Sequence, residues 1–135
     1  MDINERNKLV IEQFRAGGKI DGMHRERLVL LTTTGARTGR RRTTPLMFQR
    51  DGDRVVVMAS NNGAPKAPDW YHNLVADPHV TVEIGDESYN AVAVVAEGAE
   101  RERIWTMLTD RFEFFVELQA KAGREIPLIT LERTA

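Results

Sequence analysis

Apolar and polar positions divide the chain into short segments of differing period. Between Asn4 and Ala16, Leu9, Val10 and Phe14 recur at near-helical spacing, with Asn4 as the candidate N-cap and Gly17-Gly18 as the stop, which predicts a short amphipathic helix. From Arg27 to Thr34 the chain becomes RLVLLTTT, a continuous leucine and β-branched run that reads as a strand buried on both faces. GARTGR interrupts it. TTPLMFQR then predicts a second strand up to the turn at Asp51-Gly52-Asp53, and RVVVMAS a third. After Asn61-Asn62-Gly63 and a loop with two prolines, PDWYHNLVA predicts a helix with Pro68 at its first position, Asp69 favouring its N-terminus and Asp77-Pro78 stopping it.

HVTVEI and SYNAVAVVAE flank Gly85-Asp86-Glu87 and alternate, as a hairpin with one buried and one wetter face does. Residues 99–122 read as one long helix, with Ile104, Leu108, Phe112 and Phe115 near one face, ended by Gly123. IPLITLER closes the chain as a strand. Six strand segments and three helices argue against an alternating doubly wound fold. The expectation is a mainly β chain with flanking helices, a small barrel forming a single domain over residues 1–135, with residues 1–26 as its helical and Gly-rich lead-in.

Composition removes whole classes of chemistry. There is no cysteine, so disulfides, thiolate zinc sites, iron-sulfur clusters and cysteine nucleophiles are excluded. Redox chemistry would have to rest on a borrowed cofactor. No apolar run approaches a membrane span and the start, MDINERNK, is too charged for a signal peptide, so the expected address is cytoplasmic. With 19 Lys and Arg against 20 Asp and Glu, a local cluster of charge stands out from a nearly neutral background.

That cluster is the loop between the first two strands, which holds Arg37, Arg40, Arg41 and Arg42 beside Thr34, Gly35, Thr38 and Gly39. Planar guanidinium forks, approachable glycine amides and hydroxyls suit phosphate or carboxylate oxygens, whereas a solvated hairpin loop is the plainer reading. The spacing is not that of a nucleotide P-loop. A second candidate is SNNGAPKAPDW, Ser60 to Trp70, where Asn61, Asn62 and Gly63 offer backbone amides, Lys66 a charge and Trp70 either a flat apolar wall or ordinary core packing. His24, His72 and His79 have no metal-ligand spacing, so no metal site is expected. Clustered arginines without interleaved aromatics make a poor stacking surface, so nucleic acid is not an expected partner. The N-terminal helix, with Arg6, Lys8, Arg15 and Lys19 near its apolar residues, suits a lipid surface or, in the favoured reading, packing on the barrel.

At LLTTTGARTGRRRTTPLMF (Leu30 to Phe48), VVVMASNNGAPKAPDWYHNLVADPHVTVEI (Val55 to Ile84), FRAGGKIDG and the closing IPLITLER, the sequence closely resembles the deazaflavin-dependent nitroreductase family. The resemblance implies a split β-barrel related to flavin-binding oxidases, and coenzyme F420, a hydride-carrying deazaflavin, as cofactor, with flavin mononucleotide less favoured. It implies that Arg37, Thr38 and Arg42 hold the cofactor's anionic tail, that Pro45, Ser60, Asn61 and Gly63 adjoin its ring, and that Trp70 lines the pocket. Nitroimidazole-activating members carry lysine, tyrosine and further tyrosines where this chain has Asn61, Met47, Phe112 and Phe115. The implied activity is hydride transfer from reduced F420 to an electron-poor small-molecule acceptor such as a quinone, with Met47, Phe112 and Phe115 in the acceptor pocket; no residue stands out as proton donor, and Ser60, Tyr71 and water are the candidate sources. A non-catalytic deazaflavin carrier is the alternative, and a homodimer is compatible with the sequence.

Overall fold

The computed structural model describes residues 2–20 and 22–134. Helix α1 (Ile3–Arg15) starts two residues earlier than the periodicity suggests, because Asp2 rather than Asn4 is the cap, its carboxylate accepting from the Glu5 amide at 2.8 Å. Seven strands follow: β1 (Leu28–Thr34), β2 (Arg41–Met47), β3 (Gln49–Asp51), β4 (Arg54–Met58), β5 (His79–Ile84), β6 (Glu87–Val95) and β7 (Leu128–Arg133). Three more helices, α2 (Asp69–Ala76), α3 (Gly98–Arg111) and α4 (Phe114–Ala122), complete the order.

All pairings are antiparallel, and the spatial order is β2-β1-β5-β6-β7-β4-β3. The two strands at the ends of that order are consecutive in the chain. The segment expected as one strand bends at Phe48, leaves the β1 ladder and enters the β4 ladder, so the sheet curls until its ends meet there. The Phe48 amide keeps a partner at the bend, the Arg27 carbonyl at 3.2 Å. This is a split β-barrel with flanking helices, as the sequence led us to expect.

Period-two alternation fills the barrel. Val29 and Leu31, Val55 and Val57, Val80 and Val82, Ala91 and Ala93, and Ile129 and Leu131 form one buried cluster, plugged by Trp70 and Leu74 of α2. Some of the intervening residues face outward onto helices. Leu28 and Leu30 pack with Val10 and Phe14 of α1, and Val56 and Leu128 with Ile104 and Leu108 of α3. Double-sided burial explains the unbroken apolar run of β1, and each such Leu or Val contributes about 1.5–3 kcal/mol relative to exposure. The N-terminal helix is thus packed on the barrel.

Two helical expectations change. Pro68 caps α2 from extended backbone instead of occupying its first turn. The long C-terminal helix is two helices, broken where Phe112 turns extended (φ −141°, ψ 107°), which carries Phe114 and Phe115 into a separate segment. Among the described residues, no helix is long and apolar enough to cross a membrane.

Candidate functional site

A cleft of about 490 Å³ opens along the free edge of β2, with α1 on one side and α2 on the other. Asn7, Lys8 and Arg15 of α1, Arg42, Thr43 and Thr44 of β2, and Asp69, Trp70 and Asn73 of α2 line it. The β1–β2 register decides which candidates reach it. Arg42 opposes Thr33 and Thr44 opposes Leu31, on the face that looks into the barrel mouth, whereas Pro45 and Met47 oppose Leu30 and Leu28 on the face toward α1. Arg42 and Trp70 therefore meet in one cleft. Pro45 and Met47 do not line it; Met47 stands 66% exposed on the outer face.

The basic loop, residues 35–40, is built tightly. The Gly35 amide donates to the Arg40 carbonyl at 2.7 Å and the Gly39 amide to the Gly35 carbonyl at 2.9 Å. A side chain at Gly35 would stand 2.8 Å from Thr38 Oγ1, too close without a shift, and Gly39 holds φ +70°. Thr38 Oγ1 accepts from the Arg40 amide at 3.2 Å, so its hydroxyl also serves the loop itself. The four arginines are not equivalent. Arg41 is anchored to Thr34 Oγ1 (3.0 Å) and Thr81 Oγ1 (2.7 Å), while the exposed guanidinium groups of Arg37, Arg40 and Arg42 have no carboxylate or hydrogen-bond partner among the described residues.

Asn73 ties this loop to α2. Its Oδ1 accepts from the Ala36 amide at 3.0 Å and its Nδ2 donates to Thr33 Oγ1 at 3.2 Å, all at 8% exposure of the residue. The sequence reading passed over it, although an amide one turn from Trp70 and beside Leu74 on a buried helix face was a usable signal. Trp70 itself is 7% exposed and belongs mainly to the barrel core, so only a small part of it is open to the cleft. Arg15 forms a two-bond pair with Glu83 (3.0 and 2.8 Å), which raises its pKa and leaves Lys8 as the freer cation of the α1 wall. Glu12 and Asp69 also line the cleft, so positive charge concentrates at the loop end.

Ser60, Asn61 and Gly63 lie on the connection from β4 to α2, outside the cleft lining, at a 3-10 turn in which Asn61 (φ 48°), Asn62 (φ 57°) and Gly63 (φ 79°) are all left-handed. Two further residues that the sequence reading missed hold this turn: Arg124 donates to the carbonyls of Ala59, Ser60, Ala64 and Lys66, and Lys121 Nζ to that of Asn62 at 3.2 Å. Tyr71 packs half-buried against the barrel core, its ring edge-on to His72 with centroids 5.6 Å apart. Phe112 and Phe115 stack edge-to-face at 5.6 Å at the α3–α4 joint and do not line the cleft.

A curled antiparallel barrel whose mouth carries arginines without partners among the described residues is equipped to hold an anionic ligand. The chain belongs to the F420H(2)-dependent quinone reductase family, whose model matches residues 6–133. An F420H(2)-dependent quinone reductase of Mycobacterium tuberculosis strain H37Rv is 36% identical over 108 residues, covering 78% of this chain and 72% of the relative. The solved structure of an F420-H2 dependent reductase aligns with TM-score 0.71 and 38% identity, over 82% of this chain and all of the other. Another, described as a domain-swapped dimer, gives TM-score 0.72 and 36% identity over 96% of each chain. The shared cofactor is the one the sequence resemblance implied. The family is defined by quinone reduction, and nothing in these matches carries the nitroreductase name.

Proposed function

We propose that the protein binds reduced coenzyme F420 by its anionic tail at the basic loop and reduces a quinone. The observation that carries this reading is Arg42, in the cleft that also holds Trp70, with Arg37 and Arg40 on the adjoining loop, all three exposed and without anionic partners among the described residues. A phosphate followed by glutamates offers several anions to such a set, and flavin mononucleotide only one phosphate. The fit therefore favours the deazaflavin.

When bound, the reduced deazaflavin supplies hydride to the acceptor. The chain's own residues orient it and manage charge. Arg37 and Arg42 fix the tail, with Thr38 keeping the loop in shape, and Asn73 holds that loop against α2. Ser60, Asn61 and Gly63 border the ring side, Trp70 closes the apolar wall, and Pro45 stiffens β2 behind it. We assign the proton to Ser60 Oγ, whose hydroxyl has no partner within the described chain, in preference to Tyr71, whose ring packs half-buried against the core. It passes a proton to the quinone oxygen and recovers one from water. Met47, Phe112 and Phe115 lie on surfaces beyond the cleft and would meet only an acceptor that extends past it.

The test is a parallel titration of the purified protein with F420 and flavin mononucleotide, followed by loss of reduced-deazaflavin absorbance with a soluble quinone, an enone and a bicyclic nitroimidazole. Tighter F420 binding and quinone turnover are expected, with weak nitroimidazole turnover, because an acceptor long enough to reach Phe112 and Phe115 finds no O–H donor there for charge on nitro oxygens. F420 binding without acceleration of any acceptor would make the protein a carrier. A homodimer, proposed from the domain-swapped relative alone, is checked by light scattering.

A further inference from the structure

The turn that follows β4 has its carbonyl oxygens drawn to one guanidinium. Arg124, in the connection from α4 to β7, donates from Nη2 to the carbonyls of Ala59 (3.0 Å), Ser60 (3.2 Å) and Lys66 (3.2 Å), and from Nε to that of Ala64 (3.2 Å). It forms no ion pair among the described residues, and its side chain is partly buried beneath the turn. A guanidinium that spends its donors on four neutral carbonyls shapes backbone; it does not balance charge.

Every peptide bond described is trans, and in a trans amide the N–H points opposite to the preceding carbonyl. Carbonyls gathered toward Arg124 therefore send the following amides the other way. These are Ser60 N–H, Asn61 N–H and Ala67 N–H; Pro65 follows Ala64 and has none. None of the three amides finds an acceptor within the described chain, whereas the neighbouring Gly63 and Ala64 amides are bonded to the Ser60 and Asn61 carbonyls at 2.9 and 3.0 Å. Helix α4 presses on the same turn, since a side chain at Gly63 would stand 2.9 Å from Lys121 Cδ.

Resting on the F420 reading above, we propose that Arg124 is the positioning residue of the cofactor loop: by holding four carbonyls on one side it presents the Ser60, Asn61 and Ala67 amides as donors for oxygen acceptors of the bound deazaflavin. Those oxygens are either ring carbonyls or the phosphodiester of the tail. The residue acts through the backbone and does not itself touch the cofactor.

Arg124→Ala and Arg124→Lys are titrated with oxidised F420 by fluorescence quenching, and again with the deazaflavin nucleoside that lacks phosphate and glutamates. Amide exchange of Gly63 and Ala64 is followed in both variants without cofactor. The expectation for Arg124→Ala is affinity weakened about tenfold or more, equivalent to two or more neutral hydrogen bonds, at a temperature where the variant is fully folded. Arg124→Lys, one ammonium in place of a planar fork, falls between Ala and wild type, which keeps the test usable should Ala not fold. A defect that persists with the nucleoside assigns the ring carbonyls, and one that vanishes with it assigns the phosphodiester. Faster exchange at Gly63 and Ala64 is expected in both variants. Wild-type affinity for F420 in folded Arg124→Ala, or unchanged exchange at Gly63 and Ala64, overturns the proposal. Failure of the wild-type chain to bind F420 overturns the functional reading instead, and the exchange experiment then still decides the role of Arg124 in the turn.

Discussion

Replacing Asn73 by Leu keeps the size of the side chain while removing both hydrogen bonds that join α2 to β1 and to the basic loop. The exposed Ala36 amide can turn to water, but the Thr33 hydroxyl, 1% exposed, loses its only partner in the described chain. An orphaned buried hydroxyl plus one lost bond costs about 1–3 kcal/mol. With an unfolding entropy of roughly 2.1 cal/mol/K per residue, that lowers the melting temperature of a chain this size by roughly 4–11 °C. The diagnostic variant is Thr33→Val, which alone orphans Asn73 Nδ2 and costs about 1 kcal/mol, but in the Asn73→Leu background removes the orphan and should restore about that much. Urea denaturation of the four proteins gives the coupling energy directly, and F420 titration of the same samples shows whether the basic loop loosens with it. Costs that add to within about 0.3 kcal/mol would show that the amide and hydroxyl do not interact in solution, and would leave Asn73 tied to the basic loop through the Ala36 amide alone.

Two other outcomes are expected. Arg37→Ala and Arg42→Ala should each weaken F420 binding roughly 10- to 150-fold in a titration near physiological salt, whereas Arg50→Ala, which removes a cation stacked 5.5 Å over Phe48, should change it little; three equal losses would mean that only net charge matters. The Asp51 carboxylate, bonded to Arg103 and Arg54, is held well below the usual carboxylate range, so its contribution to stability is complete above about pH 4–5 and is lost as pH falls further toward the folded-state value. Asp51→Asn should therefore flatten the acid limb of stability against pH, measured by denaturant unfolding between pH 7 and pH 2.5, and a parallel offset at every pH would contradict that account.

Elements whose pattern is local were legible in the chain. The β5–β6 hairpin matches its alternation closely, and α2 ends at Asp77-Pro78 as expected. Two breaks were not legible, because neither Phe48 nor Phe112 is a glycine or proline and the apolar period runs through both. The bend at Phe48 exists because one segment must serve two ladders, a demand made by strands distant in sequence. The same holds for the site. The arginine loop announces itself by composition, and so does the Asn61-Asn62-Gly63 turn. The placement of Pro45 and Met47 on the far face of β2 follows from register with β1, which the residues of β2 alone do not reveal. Asn73 acts 37 residues from Ala36, and Arg124 60 or more from the carbonyls it collects at Ala59, Ser60 and Ala64. Such roles exist only once the barrel has closed.

That closure has a mechanical meaning. Residues 41–51 act as the zip of the barrel, because one covalent segment fastens β1 at one end and β4 at the other. Arg42 and Thr44 ride on the first teeth of that zip. If a molecule gripped there stabilises the closed sheet, its occupancy should be felt as far away as the short β3–β4 ladder, whose amides would slow in exchange. The cofactor would then be a fastener as well as a reagent, and an insertion at Phe48 would undo the grip without altering a single residue of the cleft.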